Sequence, residues 1–488
     1  MTRPRIGIIG GGLTGLTTAY RLVQSGCDVT IYEASADVGG LASGFTLAGF
    51  PVEKAYHFLY KTDEHILDLI DELGLGQKLK YFPSSVSTYY DGVLYPMMTP
   101  MDLIRFTPLS FVDRIRAGVT VLWLQRIPNW RRLSGITALD WLREWAGRRV
   151  TDVIWEPLLR GKFDRYYDKV TMSWLWGRIK QRVDSRDAEA GGEVLGYADG
   201  GFKVIIDTLM QRLQHVDLRL KTRVSSLKNE NGQVVVATAL GQERFNRVLA
   251  TVPSSVFANL IASYEGNDPA YFNRLRSIDY LDACVQVFAT PQKFTPYYWH
   301  NINTPNSPFV VFLSLTNLVG SEKFGGLNVY YIGDYVPSEH KYMSMDAGEL
   351  KRLWYQELKK IFPEFDPTLV VDDALFRLRH AQHIVDIGFE KTKLLPHNTP
   401  CPGVYLCNFS QIFPMDRGTN YAVRDGNRMA ELLLTSLDGR EEGNAAPLLT
   451  EGRVSSHRRK EPGRIASRVS HPRPIDSLPE PLKFPGPS

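Results

Sequence analysis

The first thirty-odd residues constrain this chain more than any other stretch. Residues 4–9 (PRIGII) form a short apolar run fit for a buried strand, and Gly10 to Gly15 make a glycine-rich turn. Residues 13–25 then carry apolar side chains at helical spacing until Gly26 stops them, and DVTIYE (28–33) reads as a second strand. A strand, helix and strand in this order predict a βαβ unit at the edge of a parallel sheet. Each glycine of Gly10-x-Gly12-x-x-Gly15 has a physical reading: a tight turn, a close backbone approach to a pyrophosphate, and close helix–strand packing. Phosphates would lie against the free N–H groups where Leu13 and Thr14 open the helix. Glu33, 23 residues after Gly10, ends the second strand beside Ala34, suitably placed to accept hydrogen bonds from a ribose diol.

At 488 residues and 43% hydrophobic, the chain is long enough for two to four domains of about 100–200 residues each. The charge of +4 is concentrated at the end: residues 440–488 hold nine Lys/Arg against six Asp/Glu and eight prolines. That tail is expected to be disordered, since it has little apolar surface to offset its ordering entropy. The nearly neutral remainder lacks the basic footprint of a nucleic-acid binder. The four cysteines form no C-x-x-C pair and no cluster with histidines, so neither a metal site nor a disulfide framework is expected. The apolar start is shorter than a signal core of about 7–15 residues, and no run approaches the roughly 20 that span a bilayer. A cytoplasmic protein is the expectation; the oligomeric state is left open.

Further along, 63–76 reads as a helix and 84–95 as a hairpin turning at Asp91-Gly92. A helix over 202–214 leads into strands through LRLKTRVSSLK, QVVVATAL and RFNRVLATV. Strands are expected over 282–290 and within 309–335, helices over 346–361 and 419–437, and a last strand at GVYLCNF (403–409).

Six residues beyond Glu33 comes a second glycine pair, Gly39-Gly40, followed by Leu41, in EASADVGGLASGF. Here the chain resembles the flavoprotein superfamily of amine oxidases, protoporphyrinogen oxidases and phytoene desaturases. Within it the chain is most similar to the bacterial protoporphyrinogen-oxidase-like branch, through Gly200-Gly201-Phe202 and DRGTNYAVRDG (416–426). The resemblance implies an α/β fold, with a Rossmann-like FAD-binding domain (parallel sheet plus β-meander) interleaved with an α+β substrate-binding domain. The expected division gives 1–60, 190–265 and 390–439 to the first, and 61–189 with 266–389 to the second. It also implies FAD, with Gly39, Gly40 and Leu41 under the pyrophosphate and ribityl chain, and the Val224 backbone on adenine. Tyr421 and Ala422 would meet the flavin, along a face of small residues Ala422, Gly426 and Ala430. Where relatives carry Gly-Asp after the last strand, this chain has Cys407-Asn408; Asn408, Asp416 or Asp425 would take that contact. Cys401 and Cys407 lack the Ser-Gly-Gly-Cys context of covalent attachment, so the FAD is expected to be non-covalent.

The implied activity is hydride transfer from a sizeable, apolar small-molecule substrate to flavin N5. DACVQVFAT (282–290) carries no lysine of the kind amine oxidases set near the flavin, which favours desaturation over simple amine oxidation. His57 is a candidate acid/base or a packing residue, and Arg417 a candidate for stabilising a reduced flavin or a substrate carboxylate, or a loop arginine. Phe409, Phe413 and Tyr421, with Trp155, Trp174 and Trp176, are candidate pocket walls or core. The apolar, arginine-laced stretch 99–146 is either a cap over the pocket or a surface that dips into lipid. The rivals are a UDP-galactopyranose mutase-like enzyme, to which PMDRGTNYAV is faintly similar, and a flavin-binding protein without turnover.

Overall fold

The computed structural model describes residues 3–439 apart from 188–191, 265–267 and 305–306. The tail expected to be disordered lies outside the described residues.

The opening unit forms as its sequence prescribes: strand Arg5–Ile9, helix Leu13–Gln24, strand Asp28–Tyr32. They enter a five-stranded parallel sheet ordered Asp217–Arg219, Asp28–Tyr32, Arg5–Ile9, Arg247–Ala250, Val404–Leu406. A parallel sheet is covered on both faces, so its central strand is a continuous apolar run; Ile6 and Ile8 are fully buried. Each such side chain contributes about 1.5–3 kcal/mol relative to exposure. A meander of Val224–Glu230, Gln233–Thr238 and Gly241–Phe245 leads into the fourth strand, with its first turn at Asn231-Gly232.

A second, seven-stranded sheet runs Asp372–His383, Tyr280–Thr290, Asn328–Val336, Val311–Ser314, Trp299–Ile302, Val86–Tyr90, Val93–Pro96. Its last two strands are the predicted hairpin. Asp372–His383, twelve residues pairing antiparallel with Tyr280–Thr290, falls where sequence periodicity assigns no element. The two sheets draw on alternating stretches of chain, and each has its own apolar cluster.

The helix Thr419–Leu437 has the bounds expected of it. Its small face meets the first helix: a Cβ on Gly426 would stand 2.8 Å from Thr17 Cβ and 2.9 Å from the Thr14 carbonyl. Thr18 Oγ1 donates to the Gly426 carbonyl at 3.0 Å. The Gly426–Ala430 part of the face therefore serves helix–helix packing rather than a flavin.

Candidate cofactor and substrate site

The two glycine pairs, separated by a helix and a strand, come together in space. Gly12 and Gly39 form a parallel bridge, and Gly39 N–H donates to the Gly11 carbonyl at 2.7 Å. Gly10, at φ +112°, occupies a conformation L side chains avoid, and a Cβ on Gly15 would sit 2.2 Å from the Gly10 carbonyl. Gly12 is different. It has ordinary extended geometry (φ −74°, ψ 173°), and a Cβ there meets nothing within 4 Å. A glycine needed neither for strain nor for packing leaves the helix start open to close approach by a ligand backbone or phosphate. Glu33 closes one side of it, accepting from Gly11 N–H at 2.7 Å and from Ser35 N–H at 2.8 Å. Thr222 N–H donates to the Glu33 carbonyl at 2.8 Å, which brings the start of the meander, at Val224, next to it. Ala34 is exposed.

Beyond Gly40, Leu41 enters the wall of a cavity of about 340 Å³. Its floor is the seven-stranded sheet (Ala283, Val285, Gly333, Tyr335), and its sides come from the segments Ala55–Phe58 and Asp416–Tyr421 and the helices Glu156–Phe163 and Met172–Asp184. His57, Arg417 and Tyr421 all line it, as do Trp155 and Trp174. Trp176, on the opposite side of its helix from Trp174, is core, and its Nε1 donates to the Ile127 carbonyl at 3.1 Å. Phe413 packs edge-on against Trp130, and Phe409, which is not in the lining, clusters with Ile412, Met415 and Tyr421.

Asp416 organises the cavity's charge. Gly177 lets the 414–416 loop approach its helix, since a Cβ there would lie 2.8 Å from the Pro414 carbonyl. Asp416 is thereby placed 3.0 Å from Lys162 Nζ and 3.7 Å from Arg178 Nη1, and it accepts from Trp174 Nε1 at 3.4 Å. Burial opposes its charge, but Lys162, Arg178 and Arg417 outweigh burial and hold its carboxyl well below the usual range. Arg417 donates to Gln382 Oε1 at 3.1 Å and to the Tyr335 hydroxyl at 3.0 Å. Burial works against ionisation of Tyr335, yet the Arg417 and Lys162 cations pull its phenol below the ordinary value.

His57 does not titrate near neutral pH. Burial lowers it to about 4 although its Nδ1 bonds the Ala55 carbonyl at 2.7 Å. A carbonyl only accepts, so Nδ1 carries the hydrogen and Nε2 is left as an acceptor. The group poised near neutrality is one the sequence did not single out: burial lifts Asp63 to about 7, against its bond from Tyr60 N–H at 2.8 Å. Lys162, Arg178, Arg182 and Glu193 also went unnoticed, being spread over two helices and a strand. The 4-residue spacing of Trp174, Arg178 and Arg182 was their signal.

Asn408 is committed elsewhere. It caps the turn Phe409–Gln411, donates to the Val252 carbonyl at 2.9 Å, and its own N–H donates to Gln411 Oε1. Asp425 pairs with Arg424 at 2.7 Å outside the cavity lining, so Asp416 is the acid of that region that reaches the site. Gly200-Gly201-Phe202 also has a structural reason. Glu53 accepts from Phe202 N–H at 2.6 Å, and a Cβ on Gly201 would stand 2.4 Å from its Oε1. No residue between 99 and 146 lines the cavity, so this segment is not its cap.

The profile of flavin containing amine oxidoreductases matches residues 13–434. The chain belongs to that family. As a flavin-dependent oxidoreductase it acts on a small molecule. The mitochondrial protoporphyrinogen oxidase of Nicotiana tabacum is 23% identical over 75% of this chain and 82% of its own length. Coproporphyrinogen III oxidase of Staphylococcus aureus is 25% identical over 59% of this chain and 68% of its own. Among solved structures, a putative protoporphyrinogen oxidase from Exiguobacterium shares the fold at TM-score 0.73 and 19% identity, covering 90% of this chain and all of its own.

Proposed function

We propose that the chain binds FAD non-covalently and uses it to oxidise a sizeable substrate held in the cavity. The observation that carries this reading is the bridge that sets the Gly12 cradle against Gly39, two residues before Leu41 in the cavity wall. Gly10, Gly12, Leu13, Thr14 and Gly15 would hold the pyrophosphate, Glu33 and Ala34 the ribose, Val224 the adenine, and Leu41, Tyr421 and Ala422 the flavin end. None of the four cysteines is set up for attachment: all are buried, and burial raises each thiol. The chemistry that a flavin held there would supply is a hydride acceptor, at N5. The protein excludes water with Trp155, Trp174, Leu175 and Val285, presents the His57 acceptor, and fixes Tyr335 between Arg417 and Lys162. The porphyrinogens named by the relatives are the first substrates to screen.

The visible spectrum tests this directly. The purified protein should show flavin bands near about 370 and 450 nm, released to the supernatant by acid. A colourless protein that takes up no added FAD would overturn the reading. Anaerobic bleaching by substrate separates oxidation from a mutase, which would leave its flavin's redox state unchanged.

The segment 99–146 supports a second contact, with a lipid surface. No described helix is long and apolar enough to cross a membrane. Helix Phe111–Arg126, however, turns Phe111, Val112, Ile115, Val119, Leu122 and Trp123 outward, all within an arc of about 120°. Val112 is 73% exposed and Val119 58%. Trp145 stacks on Trp123 and extends the patch. Residues 101–150 carry nine arginines against four acids, which suits anionic headgroups. Vesicles containing phosphatidylglycerol should float the protein, and the Phe111→Ser/Val119→Ser/Trp123→Ser variant should bind them at least about tenfold more weakly. Equal flotation of parent and variant would reject the contact.

A further inference from the structure

We propose that Arg178 and Tyr60 form an oxyanion subsite in the cavity wall, anchoring a carboxylate or phosphate of the substrate. The proposal rests on the reading of this cavity as a substrate site.

Helix Met172–Asp184 turns Trp174, Arg178 and Arg182 to the cavity, one turn apart. The two arginines are treated differently. Arg182 is satisfied by a bidentate pair with Glu193, at 3.1 and 3.3 Å. Among the described residues Arg178 makes no hydrogen bond, and its nearest carboxylate oxygen, on Asp416, is 3.7 Å away. Asp416 is already claimed by Lys162 and Trp174. A guanidinium offers five donors in a planar fork matched to oxyanions, and the fork of Arg178 meets no acceptor within hydrogen-bond distance among the described residues. Tyr60 belongs to the same wall, is only 3% exposed, and carries a buried hydroxyl without a partner. The Trp155 indole N–H, another wall group, is likewise unpartnered.

The surrounding charge points the same way. Four cations line the cavity (Lys162, Arg178, Arg182 and Arg417), whereas the acids held ionised are Asp416 and Glu193. Burial raises Asp63 and Asp334, so these carboxyls offset less of the positive charge. A protonated amine would meet repulsion here; an oxyanion would complete Arg178 and Tyr60 together.

The test titrates the purified protein with inorganic phosphate and, separately, with propionate, against chloride at constant ionic strength, following tryptophan fluorescence. At least one oxyanion should give a saturable change, and the arm that does so identifies the source. Arg178→Gln should weaken it at least about tenfold, and Arg178→Lys, which keeps the charge but not the fork, should rescue only part. Tyr60→Phe should weaken it less. No saturation beyond chloride, or undiminished binding by both Arg178 variants, overturns the subsite. Flavin content, read from the absorbance of each sample, is a separate outcome: oxyanion binding without flavin would keep the subsite and reject the flavoenzyme reading.

Discussion

A Gly12→Val chain is expected to fold like the parent and to purify without flavin, while Gly15→Ala loses both flavin and stability. The difference lies in what each added Cβ meets. At Gly12 it enters open space at φ −74°, so the folded state tolerates it at a cost of about 1 kcal/mol for a poorer helix cap. The cradle it fills is the one assigned to the pyrophosphate, and flavin content should fall by about tenfold or more. At Gly15 the Cβ would stand 2.2 Å from the Gly10 carbonyl, which forces the turn open at a cost of roughly 3 kcal/mol. Thermal melts and flavin absorbance of the two proteins decide the matter. Full flavin in Gly12→Val would sink the cradle, and an unchanged melt for Gly15→Ala would refute the packing argument.

The second large effect is expected at Asp416. Asp416→Asn keeps the shape but removes the charge that Lys162 and Arg178 share, leaving cations in an enclosed site. Breaking a buried pair in this way costs about 3–5 kcal/mol at neutral pH. Because the folded-state pKa is depressed, the contribution of Asp416 is full above its unfolded value near about 3.9 and is lost as pH falls through the folded one. Denaturant unfolding should therefore show a wide gap between parent and variant at pH 7 that closes in acid below about pH 4. A gap independent of pH would place the loss in packing instead.

The fold was legible wherever one local rule acts alone. The opening βαβ unit, the Asp91-Gly92 hairpin and the helix Thr419–Leu437 follow from periodicity and turn chemistry within a few residues. The glycine face of that helix shows where local reading stops: close approach was legible, but its partner, Thr14 and Thr17 some 400 residues away, was not. The cavity was least legible, because its character comes from the meeting of separate segments. Lys162, Asp416 and Arg178 carry no shared motif. His57 was found as a candidate, yet its protonation depends on burial that no neighbouring residue reveals. Asn408 stands where the resemblance implies a cofactor contact, and its side chain caps the turn Phe409–Gln411, a role set by local hydrogen bonds.

The contact between the first helix and Gly426 also has a temporal consequence. The sheet that holds the glycine turn takes its edge strand from Val404–Leu406, and the turn's helix gains its packing partner only at Thr419–Leu437. The helix Leu13–Gln24 thus waits for residues some 400 positions further along before its surroundings are complete. Pairings so distant in sequence form slowly, because the chain entropy of closing the loop is lost before the contacts compensate it. The glycine turn is therefore walled late in folding, only after a loop of about 400 residues has closed.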